Sequence, residues 1–170
     1  MLKINNTRTQ ALSLARSIMS SGVTPVIDLD GVLLDATHRQ NCNPDGSLNL
    51  TAYRKNSTPE KIARDKPLPL LAMVHEFNAN GYKYHVATAR VLCESTAKLL
   101  AVNKVNPMVA MGRNGENDNR KDYILKTDHL VSKFDQRQRE NMILIDDNLA
   151  NCKAVIECGL KAVHVNFEGH

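Results

Sequence analysis

Short apolar runs alternate with longer stretches of helical periodicity along this chain, and that alternation limits its fold more than any other feature. The runs are residues 24–29 (TPVIDL), 83–87 (KYHVA), 107–111 (PMVAM), 142–146 (MILID) and 161–165 (KAVHV). Their length and composition predict strands. Helices are expected between them, over residues 67–80, 92–103, 119–134 and 149–158, where apolar residues recur with helical spacing. Another amphipathic helix is expected near the start, over about residues 5–21, with Leu12, Leu14, Ala15 and Ile18 inward and Gly22 as its stop. Such alternation implies an α/β fold, a three-layer, Rossmann-like parallel sheet with helices on both faces. Right-handed crossovers then bring the C-terminal ends of all strands to one edge.

The 170 residues suit one domain, 1–170, with a real core. A hydrophobic fraction of 42% with 24% charged residues excludes a disordered chain, and no apolar run approaches the ~18 residues of a membrane span. Arg8 and Arg16 interrupt the N-terminal apolar positions, so this end does not read as a secretory signal. Cys42, Cys93, Cys152 and Cys158 form no C-x-x-C pair and read as free thiols in a reducing cytoplasm, without disulfides. A net charge of +4 permits an anionic partner without requiring one.

Residues 36–66 break the alternation. They are polar and turn-rich, with a strong turn signal at Asn43-Pro44-Asp45-Gly46, and predict a small flap, a hairpin plus a short helix, inserted after the first strand. Residues 112–119 (GRNGENDN) predict a second loop. The basic run Arg54, Lys55, Lys61, Arg64, Lys66 could track a nucleic-acid backbone or simply form a solvated face.

The chemistry-bearing residues gather at strand ends. The first strand runs into Asp28 and Asp30, the second into Thr88, and the fourth into Asp146-Asp147, while the helix after the third carries Lys126. Hard oxygen donors with no His or Cys beside them suit Mg²⁺. Asp28 and Asp30 would point to opposite faces of a regular strand, so Gly31 is expected to turn the chain and bring both to one site.

The order Asp28-Leu29-Asp30-Gly31-Val32, Thr88, Lys126 and Ile143-Leu144-Ile145-Asp146-Asp147 resembles the four motifs of the haloacid-dehalogenase-like phosphatase superfamily over roughly residues 24–167. Val32 stands where Thr is commoner, and Thr88 where Ser is usual. A narrower resemblance is to the phosphatase half of phage polynucleotide kinase/3′-phosphatase. It rests on Arg39, eleven residues after Asp28, on Thr88-Ala89-Arg90, and on the run Arg120-Lys121-Asp122-Tyr123-Ile124-Leu125-Lys126. No G-x-x-x-x-G-K-[ST] occurs, so no kinase half is expected.

The resemblance implies a nearly capless fold of this type and a two-step phosphoryl transfer. Asp28 would be the nucleophile, Asp30 the general acid and then base, and Thr88 and Lys126 would hold the phosphoryl group. Mg²⁺ would sit on Asp28, Asp30 (through its carbonyl), Asp146 and Asp147. Arg39, Arg90 and Asp122 would bind substrate, the arginines by clamping its phosphates, with Asp122 sharing the Lys126 helix face. The implied substrate is the terminal 3′-phosphate of a nucleic acid. The rival readings are a phosphatase of free 5′-nucleotides or other small phosphoesters, and an inactive nucleic-acid-binding module.

Overall fold

The computed structural model describes residues 1–167, so the last three positions of the expected 1–170 unit lie outside the described residues. The chain starts with strand β1 (Leu2–Asn5), helix α1 (Arg8–Ser21) and β2 (Thr24–Ile27). A flap follows, made of β3 (Leu34–Asp35), a 3₁₀ turn (Thr37–Arg39), short helices α2 (Leu50–Lys55) and α3 (Pro59–Ile62), and β4 (Lys66–Pro67). Next come α4 (Leu71–Ala79), β5 (His85–Val91), α5 (Glu94–Val102) and β6 (Ala110–Arg113). The described part ends with α6 (Asp122–Lys133), α7 (Gln136–Glu140), β7 (Met142–Asp146), α8 (Leu149–Glu157) and β8 (Lys161–Asn166).

Six strands form one parallel sheet in the order β1-β8-β7-β2-β5-β6. Both faces are covered, which is why these strands read as near-continuous apolar runs. Successive residues feed opposite layers. Ile27, Val86, Ile145 and Val163 pack with Ala11, Leu14, Ile18, Met73, Phe77 and Leu100 from α1, α4 and α5. Val26, Ala87, Leu144 and Ala162 pack with Leu130, Cys152 and Val155 from α6 and α8. No helix among the described residues is long and apolar enough to cross a membrane.

The structure moves several expected boundaries. β1 was not foreseen, because as an edge strand it buries only Ile4. The N-terminal helix starts at Arg8 instead of residue 5, since Thr7 caps it by accepting from the Gln10 amide while Leu2 to Asn5 pair with β8. The helix expected over 67–80 starts at Leu71: Pro67 belongs to β4, and Leu68 donates to the Leu33 carbonyl. β5 runs from His85 to Val91 in place of 83–87, so Thr88 lies inside it, and β6 is displaced from 107–111 to Ala110–Arg113. α7 was missed, although Asp135 and Gln138 form a capping box at its start.

The flap is anchored by an antiparallel pair, Leu34 opposite Pro67 and Asp35 opposite Lys66. It carries two short helices and a 3₁₀ turn, more than the single helix expected. The turn at Asn43-Pro44-Asp45-Gly46 is present, with Gly46 donating to the Asn43 carbonyl at φ 82°.

Candidate active site

β2 stops at Ile27, but its line continues one residue, because the Asp28 amide donates to the Ile145 carbonyl on β7. The chain then turns sharply. The Leu29 carbonyl accepts from the amides of Val32, Leu33 and Leu34, and Gly31 adopts φ 77°. A side chain at Gly31 is excluded twice over, by that backbone and by contact: a Cβ there would stand 2.1 Å from Asp147 Oδ2. The expected turn at Gly31 is thus present, and it lets Asp147, just after β7, close over the end of β2.

Lys126 is the centre of this acidic side. Its Nζ, on a side chain only 1% exposed, lies 2.7 Å from Asp146 Oδ2, 3.1 Å from Asp28 Oδ1 and 3.4 Å from Asp122 Oδ2. Asp122 and Lys126 share a face of α6 one turn apart. Asn151, in the first turn of α8, ties the acids together: its Nδ2 donates to Asp122 Oδ2 at 2.7 Å and to both Asp146 oxygens. The Asn148 amide also donates to Asp146, at 2.8 Å.

Burial pushes the Asp28 carboxyl well above its usual value, with Asp146, Asp122 and Asp147 adding to the rise against the pull of Lys126. Asp146 is raised by burial in the same way. Burial opposes the charge on Lys126, but Asp122, Asp146 and Asp28 outweigh it and hold the ammonium well above its ordinary pKa. One cation is therefore too few for this group of acids. One oxygen from each of Asp28, Asp146 and Asp147 lies within 4.8 Å of the others, a set of hard donors able to hold a divalent cation. The Asp30 carboxylate is not part of that set.

Asp30 faces the other way. Arg90 grips it from Nε to Oδ2 at 3.1 Å and from Nη2 to Oδ1 at 2.6 Å. Burial pushes the Asp30 carboxyl up, yet the Arg90 guanidinium more than offsets this and the net direction is down. The same Nη2 donates to Asp65 Oδ2 at 2.6 Å. Asp65, buried at the base of the flap, also takes a two-pronged contact from Arg39, at 2.9 and 2.8 Å. Arg39 completes its bonding with Ser57 Oγ at 2.9 Å and stacks 4.8 Å over the Tyr53 ring. Both arginines named in the sequence thus come to the site, but each is held by Asp65 in a buried chain, Arg39–Asp65–Arg90–Asp30. Thr88 is buried on β5 beside β2, and its hydroxyl accepts from the Arg90 amide at 3.2 Å.

Two residues that shape the site went unnoticed in the sequence. Asp65 sits within a basic run and looked like part of a solvated face. Asn151 carries no charge, and its only signal was its place one turn into the helix that follows Asp146-Asp147. Asp122 is placed with Lys126 and Asn151, on the acidic side, and not beside Arg39 and Arg90.

The family of bacteriophage T5 5′-deoxynucleotidases matches residues 18–147. A comparison with curated proteins finds no match. Among solved structures, a haloacid dehalogenase-like hydrolase from Streptococcus pneumoniae superposes with a TM-score of 0.63 at 14% identity, covering 87% of this chain and 86% of that one. The Pnkp1/Rnl/Hen1 complex gives 0.61 at 22% identity, over 85% of this chain and 47% of that one. CbbY from Rhodobacter sphaeroides, solved with phosphate, gives 0.55 at 15% identity, over 85% of this chain and 86% of that one. At these identities the structural likenesses bear on the fold alone.

Proposed function

From the premise that the chain belongs to the bacteriophage T5 5′-deoxynucleotidase family, and is thus a phosphoric monoester hydrolase, we propose that it is a Mg²⁺-dependent phosphatase of deoxynucleoside 5′-monophosphates. The observation that carries this reading is the meeting of Asp28, Asp146, Asp147 and Lys126 at the end of β2, with Asp30 turned toward a separate, cationic pocket. The acids hold the attacking side, and the cations receive the substrate.

In the first step an Asp28 oxygen attacks phosphorus and the bond from phosphorus to the sugar oxygen breaks. Asp30 gives its proton to that leaving oxygen. In the second step Asp30 takes a proton from water, the water oxygen attacks phosphorus, and the Asp28–phosphate bond breaks to release inorganic phosphate. Lys126 neutralises the transferred group, and Thr88 donates to one of its oxygens. Asp28, Asp146, Asp147 and the Asp30 carbonyl would hold Mg²⁺, which when bound lets an anionic nucleophile approach an anionic phosphate. The donor set fits that ion, being all oxygen and short of positive charge. Arg90 is shared between Asp30 and Asp65; turning its guanidinium edge to the incoming phosphate releases Asp30, whose carboxyl then takes up the proton that it gives to the leaving oxygen.

A second reading, removal of a terminal 3′-phosphate from a nucleic acid, draws on Arg39 and on the Arg120–Lys126 run. One experiment separates the two. The protein is incubated with Mg²⁺ and either deoxynucleoside 5′-monophosphates or a 3′-phosphorylated oligonucleotide, with Asp28→Asn as control. Phosphate released from the mononucleotides, and lost in the variant, supports the 5′ reading. Release from the oligonucleotide alone selects the 3′ reading, and release from neither rejects both.

A further inference from the structure

Next to the catalytic acids lies a cavity of about 140 Å³ that the phosphoryl chemistry leaves unused. It sits between Leu50 and Tyr53 of α2 and Val91 of β5, and Arg90 lines it on the side of Asp30. Arg54 from α2 and Arg113 from β6 line it too, and the exposed Glu116 is its one carboxylate. These two guanidiniums are anchored alike. Arg54 Nη2 and Arg113 Nη1 donate to one carbonyl oxygen, that of Asp118, at 2.9 and 3.0 Å. Their other acceptors are Asn119 Oδ1 at 2.8 Å and the Arg120 carbonyl at 2.7 Å. All of these are neutral oxygens, and among the described residues neither arginine has a carboxylate within ion-pair distance. Arg54 Nε, Arg113 Nε and Arg90 Nη1 are all buried without a hydrogen-bond partner.

A buried donor without an acceptor is costly, and native structures leave few of them. Three such donors sit on residues that line one cavity, and a turn of these side chains onto a ligand that brings acceptors would satisfy them. The cavity is smaller than the roughly 300–1,000 Å³ of sites for drug-sized ligands, so it admits one ring system and not a run of nucleotides. Tyr53, Leu50 and Val91 offer that ring apolar contact.

We propose that this cavity is the base subsite of the nucleotide, and that Arg54 and Arg113 make it select bases with keto oxygens. The proposal rests on the 5′-nucleotidase reading. A guanidinium donates and never accepts. Guanine presents two neighbouring acceptors, O6 and N7, and thymine presents O4. Adenine places an amino donor beside N7, which would face a donor here.

The test has two arms. The first compares kcat/KM for dGMP, dTMP and dAMP in the wild type, Arg54→Met and Arg113→Met. The wild type should favour dGMP and dTMP over dAMP by roughly tenfold, mainly through KM, and each variant should flatten that ratio. Arg54 lies half-buried on the flap, so its variant keeps the arm decisive if Arg113→Met does not fold. Equal use of the three nucleotides by the wild type, with the same ratios in Arg54→Met, overturns the base subsite while the phosphatase reading stands. The second arm needs no turnover: deoxyguanosine, thymidine and deoxyadenosine are titrated into the protein by calorimetry. Binding of the first two, weakened in Arg54→Met, supports the subsite even if no mononucleotide is hydrolysed. Failure of deoxyguanosine and thymidine to bind overturns it.

Discussion

Around Lys126, one ammonium stands among three carboxylates, with Asp147 beside them; in the chain through Asp65, two carboxylates hold two guanidiniums, and Arg54 and Arg113 add two more cations nearby. The two groups lie on either side of the turn at Gly31, and both are buried. Their charges are unbalanced in opposite senses. The first can be completed by a divalent cation, the second by an anion or an acceptor-rich ring. On the proposed reading, a phosphate monoester reaching Asp28 between them would meet the metal on one side and its recognition groups on the other. The two regions also differ in origin. The acidic side is built from strand ends and helix starts, and the cationic side from an irregular flap laid over β5 and β6.

Each side can be broken separately. The largest effect is expected from Asp28→Asn, which should reduce phosphate release to background while leaving the binding of nucleosides intact, as read by calorimetry. Chelation comes next: EDTA should abolish turnover and added Mg²⁺ should restore it, because only the acidic side depends on the ion. Asp65→Asn strikes the other side. It leaves Arg39 and Arg90 buried without their shared carboxylate, and removing one partner of such a group costs about 3–5 kcal/mol. Urea denaturation should show a loss of that order, and kcat should fall because Arg90 no longer aligns Asp30.

Gly31→Ala tests the turn that joins the two sides. Its φ of 77° costs an L-residue roughly 1–2 kcal/mol, and the new Cβ displaces Asp147. Its apparent Mg²⁺ affinity, read from the metal dependence of turnover, should weaken more than its stability does.

The smallest effect concerns neither side. Burial holds the His85 imidazole, whose ring lies 5.0 Å from that of Phe134 and tilted 42° to it, below its ordinary pKa of 6.5. The unfolded chain then takes up a proton that the folded one does not, so His85 contributes stability above about pH 6.5 that is lost as the pH falls. His85→Phe should flatten that acid slope in thermal melts and leave the metal dependence unchanged.

The acidic side was legible in the sequence because regular structure placed it there. An apolar strand followed by Asp-x-Asp-Gly, a second followed by Asp-Asp, and an Asp and a Lys one turn apart need only the parallel sheet to converge. The alternation of apolar runs supplied that sheet, although it missed β1, whose single buried side chain gives no period to read. The cationic side was half legible. Arg39 and Arg90 could be named from the motifs, but their partner Asp65 could not, since it lies 26 residues after Arg39 in a run that reads as solvent-facing. Arg54 was named only within the basic run, and Arg113 was not named, for a related reason. What distinguishes them is a shared backbone oxygen, the Asp118 carbonyl, and a sequence shows side chains without showing which carbonyl they will meet.

The central claim is that Asp28 is the atom-transfer point between these two environments. Its most direct test is an acid quench of the Mg²⁺-loaded protein during turnover of a 5′-radiolabelled deoxynucleotide, followed by peptide mapping. The account predicts a hydroxylamine-labile phosphate on Asp28, absent without Mg²⁺ and absent from Asp28→Asn. Label found on another residue, or turnover that Asp28→Asn leaves intact, would contradict it.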